Sequence, residues 1–320
     1  MVEIAVPEKL IAYHGRFRGE EGLAWIARLP RLAASYLRRW GLTPDGAPMH
    51  GMVALVLPVR RADGVPAALK LQPIDPEHLG EGVALRAWDG QGAVRLLAED
   101  ETADSSILLL ERLRSDRMLR SLPDIDQAVG VLTGLLARLN AHRAPPEIRR
   151  LDDVVAEMIA DAPMAVAAQS DPDEAKLLAR WVAMVAELAG HAGDRLLHWD
   201  LHYYNVLAAE REPWLAIDPK PLAGHPGFEL LPALDNRWTE AVGTGDAGRA
   251  IRRRFDQMIE ALALDRAEAV AWIFARILQN EIWSAEDTEE GELWLDPKQI
   301  VIAEAIAGPA PSRTTSAAGR

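Results

Sequence analysis

The sequence predicts an α+β fold, with a small antiparallel β-sheet lobe followed by a larger, mainly helical lobe. Two patterns carry that expectation. Short β-rich runs separated by turn signals crowd between Val53 and Leu110, and stretches with apolar residues at helical spacing fill most of the chain beyond Leu113. A third observation bounds it: 320 residues with 49% hydrophobic and 26% charged content suffice for buried cores and exclude wholesale disorder.

Glu20 to Leu42 repeats apolar residues at helical spacing and reads as one or two helices, closed by the turn-prone TPDG of Thr43–Gly46. Val53–Arg60 (VALVLPVR) and Ala67–Gln72 (AALKLQ) flank an Asp-Gly turn, which predicts a hairpin. Pro76–Trp88 has helical spacing with acids in its early turns, although Gly80 and Gly82 weaken it. Val94–Asp100 and Ile107–Leu110 supply two more strands. Helical patterns then occupy Asp124–Arg143, Leu151–Ala168, Asp173–Gly190, Asp246–Leu262, Arg266–Glu281 and Pro297–Gly308. Among them lies a β-rich island, Leu196–Ile217, broken by polar loops where functional residues should concentrate. The small, polar tail Pro309–Arg320 is expected to be disordered. The expected division is therefore 1–112 for the N-terminal region and β-rich lobe, 113–308 for the helical lobe and 309–320 for the tail, with no internal repeat.

A formal charge of −13, from 48 acids against 35 bases, disfavours nucleic acid and favours a cationic small molecule. The absence of cysteine excludes a disulfide, a thiolate metal site and a thiol nucleophile, and suits a reducing cytoplasm. Charges at Glu3, Glu8 and Lys9 interrupt the apolar start, so no signal peptide is expected, and no run reaches the roughly 20 uncharged apolar residues of a membrane helix. Lysine occurs only at positions 9, 70, 176, 220 and 298. Lys70, embedded in an apolar strand, is therefore informative.

The densest chemistry lies in LLHWDLHYYNVLA (Leu196–Ala208) and WLAIDPKP (Trp214–Pro221). Phosphoryl transfer needs a carboxylate to orient and deprotonate an attacking hydroxyl, and oxygen ligands to hold Mg²⁺ against nucleotide phosphates. The spacing H-x-D-x-x-x-x-N from His198 supplies Asp200 as base and Asn205 as metal ligand, and Asp218, thirteen residues further on, is a second metal ligand, a carboxylate. Lys70 would contact the α/β-phosphates of the nucleotide, held by Glu81 on the next helix or, alternatively, by Glu77. In a competing reading, His198, Asp200 and His202 alternate along a strand and hold the metal of a hydrolase, which leaves Lys70, Asn205 and Asp218 without roles. Trp238 and Trp283 offer aromatic faces near acids such as Asp235, Glu240, Glu281 and Asp287, a combination suited to a guanidinium or ammonium group, and His202 joins them as a substrate candidate. The acid run Glu286–Glu292 reads as a solvated face.

Taken together, the stretches GEEGLAWIARLP (Gly19–Pro30), PVRRADGVPAALKLQ (Pro58–Gln72), LRAWDGQGAVRLL (Leu85–Leu97), LLLERL (Leu108–Leu113), HWDLHYYNVLAAEREPWLAIDP (His198–Pro219) and GFELLPAL (Gly227–Leu234) resemble the aminoglycoside and hydroxyurea antibiotic-resistance kinases, which have a protein-kinase-like fold. The resemblance implies two lobes joined near Glu111–Leu113, with Glu111 and Leu113 at the nucleotide and with ATP and Mg²⁺ as cofactors. It implies phosphorylation of an aminoglycoside hydroxyl, foremost streptomycin at its 6-position, or alternatively of hydroxyurea or another small hydroxylated metabolite; the oligomeric state stays open, a monomer being favoured. By the same resemblance Asp200 is the base, Asn205 and Asp218 bind metal, and Lys70 binds phosphate. The family pattern has an acid or glycine where Tyr204 stands and acids where His225 and Glu229 stand. The segment Gly46–Met52 lacks a G-x-G-x-x-G signature, and in this family that loop is commonly degenerate.

Overall fold

The computed structural model describes residues 4–286 and 293–308. Asp287, with most of the acid run, and the tail 309–320 lie outside the described residues. Helices α1 (Glu8–Phe17) and α2 (Gly19–Arg39) precede strands β1 (Thr43–Pro44), β2 (Met49–His50), β3 (Leu55–Arg60) and β4 (Pro66–Pro73). Helix α3 (Glu81–Trp88) leads to β5 (Leu96–Glu101), β6 (Ser105–Glu111) and β7 (Arg114–Met118). Next come α4 (Ile125–Leu139), α5 (Leu151–Ala168), α6 (Pro172–Ala186), β8 (Arg195–Leu197), β9 (Val206–Ala208), β10 (Leu215–Ala216) and β11 (Leu222–Gly224). The order ends with α7 (Leu231–Asp235), α8 (Trp238–Gly243), α9 (Ala247–Leu262), α10 (Arg266–Glu286) and α11 (Pro297–Ala307).

These elements form two compact units. The first runs to Met118 and takes back Leu207–Pro221; the second holds Leu119–Val206 and the chain from Leu222 onward. The sequence pattern places a single boundary after residue 112. The return of 207–221 to the first unit comes from strand pairing: β9 lies between β7 and β10, and Val94 and Ala216 bridge 92–94 to β10 through backbone bonds of 2.8 and 2.9 Å.

The main sheet of the first unit is antiparallel in the order β1-β3-β4-β6-β5, with β2 added to β3. Its register places Val56, Lys70 and Leu108 opposite one another on neighbouring strands. Because side chains alternate across a strand, one face presents Leu55, Leu57, Val59, Leu69, Leu71, Ile107 and Leu109, which are buried with Leu10, Trp25 and Leu29 of α1 and α2. The indole of Trp25 donates to Ser105 Oγ at 2.9 Å, so its one polar atom is satisfied inside that core. The other face carries Val56, Ala68, Lys70 and Leu110. Helix α3 is shorter than the spacing predicts: Gly80, at φ +85°, takes the left-handed conformation, and regular helix begins only at Glu81.

In the second unit the long helices pack pairwise, α10 on α5 and α6, and α9 on α4 and α11. Their starts are locally encoded. Asp124, Asp171 and Asp296 each accept backbone N–H bonds from the first turn, and Pro172 and Pro297 occupy first-turn positions where no donor is needed. A two-stranded ribbon, β8 with β11, runs alongside and leads into the polar loop after Leu197. Among the described residues no helix is long and apolar enough to cross a membrane.

Gly224 on β11 is a packing requirement, since a Cβ there would lie 2.7 Å from Leu151 Cβ and Cδ2. Gly224→Ala is expected to destabilise the protein by about 1–3 kcal/mol through overpacking, read as a shifted midpoint in chemical denaturation. An unchanged midpoint would mean that Leu151 gives way without cost.

Candidate active site

Lys70 reaches the middle of the β4 face opposite the hydrophobic core and is only 5% exposed. A buried ammonium is costly unless it is paired and hydrogen-bonded. Here it donates at 2.8 Å to both oxygens of Glu81, itself 2% exposed, and at 2.5 Å to Asp218 Oδ1. Burial works against the charge, but Asp218 and Glu81 outweigh it and hold Lys70 protonated well above its ordinary range. Gln72, two residues along the strand and so on the same face, donates to Glu81 Oε2 at 2.7 Å. Glu77, the alternative partner considered for Lys70, instead pairs with Lys220 at 2.6 Å. Asp218 stands at φ +60°, a conformation an aspartate adopts only at some cost in strain.

Beside this cluster the first unit has a cavity of about 300 Å³, lined by the apolar Val56, Ala68, Leu110, Met118, Leu207 and Ile217 together with Lys70, Asp218, Glu111 and Leu113. Four of these, Val56, Ala68, Lys70 and Leu110, come from the non-core face of the sheet, and three, Leu207, Ile217 and Asp218, from the segment 207–221. An apolar slot walled on one side by a charge cluster suits a ligand with a flat apolar part and a charged part.

In the second unit the chain leaves β8 at Leu197 and turns sharply. Trp199 lies at φ +62°, and Asp200 N–H closes onto His198 O at 2.8 Å. This turn ends the extended alternation that a shared His198, Asp200 and His202 face would need. Asn205 Nδ2 donates to Asp200 O at 2.9 Å, so H-x-D-x-x-x-x-N closes a loop in which the asparagine holds the backbone of the aspartate. His202 Nε2 is 3.9 Å from Asp200 Oδ1, and its Nδ1 accepts the Tyr204 N–H at 3.2 Å.

Glu229 is the residue that sequence reasoning missed at this loop. It is fully buried, and its Oε2 accepts the backbone N–H groups of His198 and Trp199 at 2.8 and 2.9 Å. Burial pushes its carboxyl up to about 7 in spite of these bonds. The available signal was one acid between Phe228 and the apolar run LLPAL, where a carboxylate is retained only if something buried requires it.

The substrate candidates are spread over the second unit. Asp235, at the end of α7, pairs with Lys298 at 2.6 Å, and Glu240 is bonded by Arg237. Trp238 opens α8, half-buried. Glu281 on α10 is buried, chiefly for that reason pushed up to about 7, and accepts the Asp296 N–H at the start of α11. Trp283 has a guanidinium over its ring, but it belongs to Arg276, 5.1 Å from the centroid, which also stands over Trp199 and Phe228. His225 stacks on Trp272, and its Nδ1 accepts the Gly227 N–H.

Comparison with known proteins gives this geometry its context. Residues 39–288 match the family Aminoglycoside/hydroxyurea antibiotic resistance kinase. The chain is 53% identical over 305 residues to a streptomycin 6-kinase from Streptomyces glaucescens, covering 95% of this chain and 98% of that protein. It is 49% identical over 307 residues to a hydroxyurea phosphotransferase from Kitasatospora aureofaciens, covering 95% and 86%. Among solved structures, a choline/ethanolamine kinase family protein from Mesorhizobium loti superposes with a TM-score of 0.55 at 15% identity, covering 86% of this chain and 92% of that one, a likeness of fold. The chain belongs to the aminoglycoside/hydroxyurea antibiotic resistance kinases and is an O-phosphotransferase of the protein-kinase-like fold.

Proposed function

We propose that the protein transfers the γ-phosphoryl group of ATP to a hydroxyl of an aminoglycoside, foremost streptomycin at its 6-position. The observation that carries the phosphoryl-transfer chemistry is the buried Lys70, held between Glu81 and Asp218 beside an apolar slot. In this reading the slot takes the adenine, Glu111 and Leu113 border it, and Lys70 meets the phosphates. Asp200 accepts the proton of the acceptor hydroxyl as its oxygen bonds to phosphorus and the bond to ADP breaks. The acceptor assignment draws on the 53% identity to a streptomycin 6-kinase and on the charge of −13, which favours a cationic substrate.

The donor chemistry suits Mg²⁺, which prefers hard oxygen ligands and takes one or two from protein when phosphates supply others. Asp218 presents a carboxylate whose side chain is 32% exposed, and Asn205, whose Nδ2 is spent on Asp200 O, can offer its amide oxygen. When bound, the ion would neutralise phosphate charge. A second acceptor has support of its own: the 49% identity to a hydroxyurea phosphotransferase makes hydroxyurea the alternative.

Incubation with ATP, Mg²⁺ and either acceptor, followed by phosphorus NMR of the product, tests the proposal. Streptomycin should carry a new phosphomonoester at its 6-position, and Asp200→Asn should slow its formation roughly 10²–10⁴-fold while nucleotide affinity stays near normal. Phosphorylation of hydroxyurea alone would transfer the assignment to the second acceptor, and near-normal turnover by Asp200→Asn would remove it as the base.

Glu229 yields a pH signature. Its carboxyl is at about 7 folded against an ordinary 4.5, so the folded state holds an extra proton between those values. Its contribution to stability is complete below about 4.5 and is lost as pH rises through about 7. The stability of wild type relative to Glu229→Gln should therefore fall across that window in urea melts. A difference independent of pH would show that Glu229 ionises at its ordinary value.

A further inference from the structure

Arg211 lies in the turn between β9 and β10, outside both the lysine cluster and the Asp200 loop. Its Nε donates to both carboxylate oxygens of Glu111 at 3.1 and 3.0 Å, its Nη2 donates to Glu111 Oε1 at 2.7 Å and to Ala93 O at 2.8 Å, and its Nη1 reaches Glu212 at 2.6 Å. Glu111 Oε1 also accepts the Arg95 N–H at 2.8 Å, and Glu111 N–H returns to Arg95 O at 3.0 Å. One guanidinium thus joins three stretches: the end of β6, the segment 93–95 and the β9–β10 turn.

Each of those stretches contributes to the wall of the 300 Å³ cavity: Leu110 and Glu111 from β6, Val94 from the second, and Leu207 and Ile217 from the two ends of the third. Arg211 itself does not line it. An isolated surface ion pair would contribute little, but this pair is forked, about four-fifths buried on both sides and shared with a backbone carbonyl. We propose that Arg211 is a positioning residue for nucleotide binding, fixing the spacing of the slot's walls through Glu111 and Ala93. The inference rests on the reading of that slot as the ATP site. It concerns the nucleotide alone, since Asp200 and its loop belong to the other unit.

Calorimetric titration of Mg·ATP into wild type, Arg211→Lys and Arg211→Ala, with steady-state kinetics and thermal melts, tests it. In Arg211→Ala the Kd and KM for ATP should rise about tenfold, the scale of one lost charge-assisted contact. At saturating ATP, kcat should stay within about twofold, because no transition-state contact is removed. Arg211→Lys should recover little of the affinity, since an ammonium lacks the planar set of donors with which the guanidinium holds Glu111 and Ala93 O together. The Arg211→Ala/Glu111→Ala double variant should bind ATP no more weakly than Glu111→Ala alone. Unchanged ATP affinity in both single Arg211 variants, or a fall in kcat with KM for ATP constant, would overturn the role. If Arg211→Ala does not fold, the lysine variant decides by the same readout. A wild type that binds no Mg·ATP would instead overturn the ATP reading of the slot, and this role with it.

Discussion

The charge of Lys70 is the constraint around which the first unit is arranged. Taking an ammonium out of water costs several kcal/mol unless carboxylates and hydrogen bonds replace the solvent, and β4 places this one where water does not reach. Glu81 is eleven residues away along the chain, at the first turn of α3, whereas Asp218 is 148 residues away. Satisfying both fixes α3 against the sheet and requires the segment around Asp218 to fold with the N-terminal unit. The pairing of β9 with β7 and the bridge from 92–94 to Ala216 serve that requirement in the backbone. Gln72 adds a hydrogen bond to Glu81 from the strand itself. Loss of Lys70 would leave two carboxylates, one of them fully buried, without their shared cation, a larger penalty than the cluster's net contribution to stability.

A single strand can serve both core and chemistry because its side chains alternate. Leu69 and Leu71 face α1 and α2, and Ala68, Lys70 and Gln72 face the other way, toward the slot and α3. A one-residue slip of β4 against β3 and β6 would put Lys70 into the hydrocarbon core and a leucine into the charge cluster. The register Val56, Lys70, Leu108 is therefore held by both faces at once: by burial of seven apolar side chains on one and by an ion pair on the other.

How much of this was legible in the chain depends on how local each signal is. The hairpin around the Asp-Gly turn, the helix over Leu151–Ala168 and the isolated strand lysine could be read because their patterns are complete within a few residues. Helix α1 was not anticipated, since GluLysLeuIle opens it with charges and its buried Leu10 and His14 make sense only beside Trp25. Strand β7, Arg-Ser-Asp-Arg-Met, has no apolar alternation, is largely exposed, and exists only through its pairing with β9. The short start of α3 depended on the conformation of one glycine. The return of 207–221 and the bond from Glu229 to His198 and Trp199 are non-local facts, written in no window of sequence. Trp283 illustrates the converse: its aromatic face was read as a place for a ligand's cation, and the chain sets its own guanidinium, that of Arg276, over the ring.

The loop carrying Asp200 obeys a different logic from the lysine cluster, since its precision resides in the backbone. Trp199 at φ +62° costs roughly 1–2 kcal/mol for a residue with a bulky side chain, and it persists because the surroundings over-determine it. Its N–H and that of His198 are bound by Glu229, its ring is packed between Phe228 and Trp283 with Arg276 above, and Tyr203 anchors the far side of the loop through Ala233 O. Asp200 is bracketed in turn, its N–H on His198 O and its carbonyl on Asn205 Nδ2. Both ends of the Asp200 backbone are thereby fixed, one on the buried His198 and the other on the half-buried Asn205, which leaves only side-chain torsions to place its carboxylate. In the proposed mechanism this favours Asp200 as the base, because orientation established during folding need not be established again during the reaction.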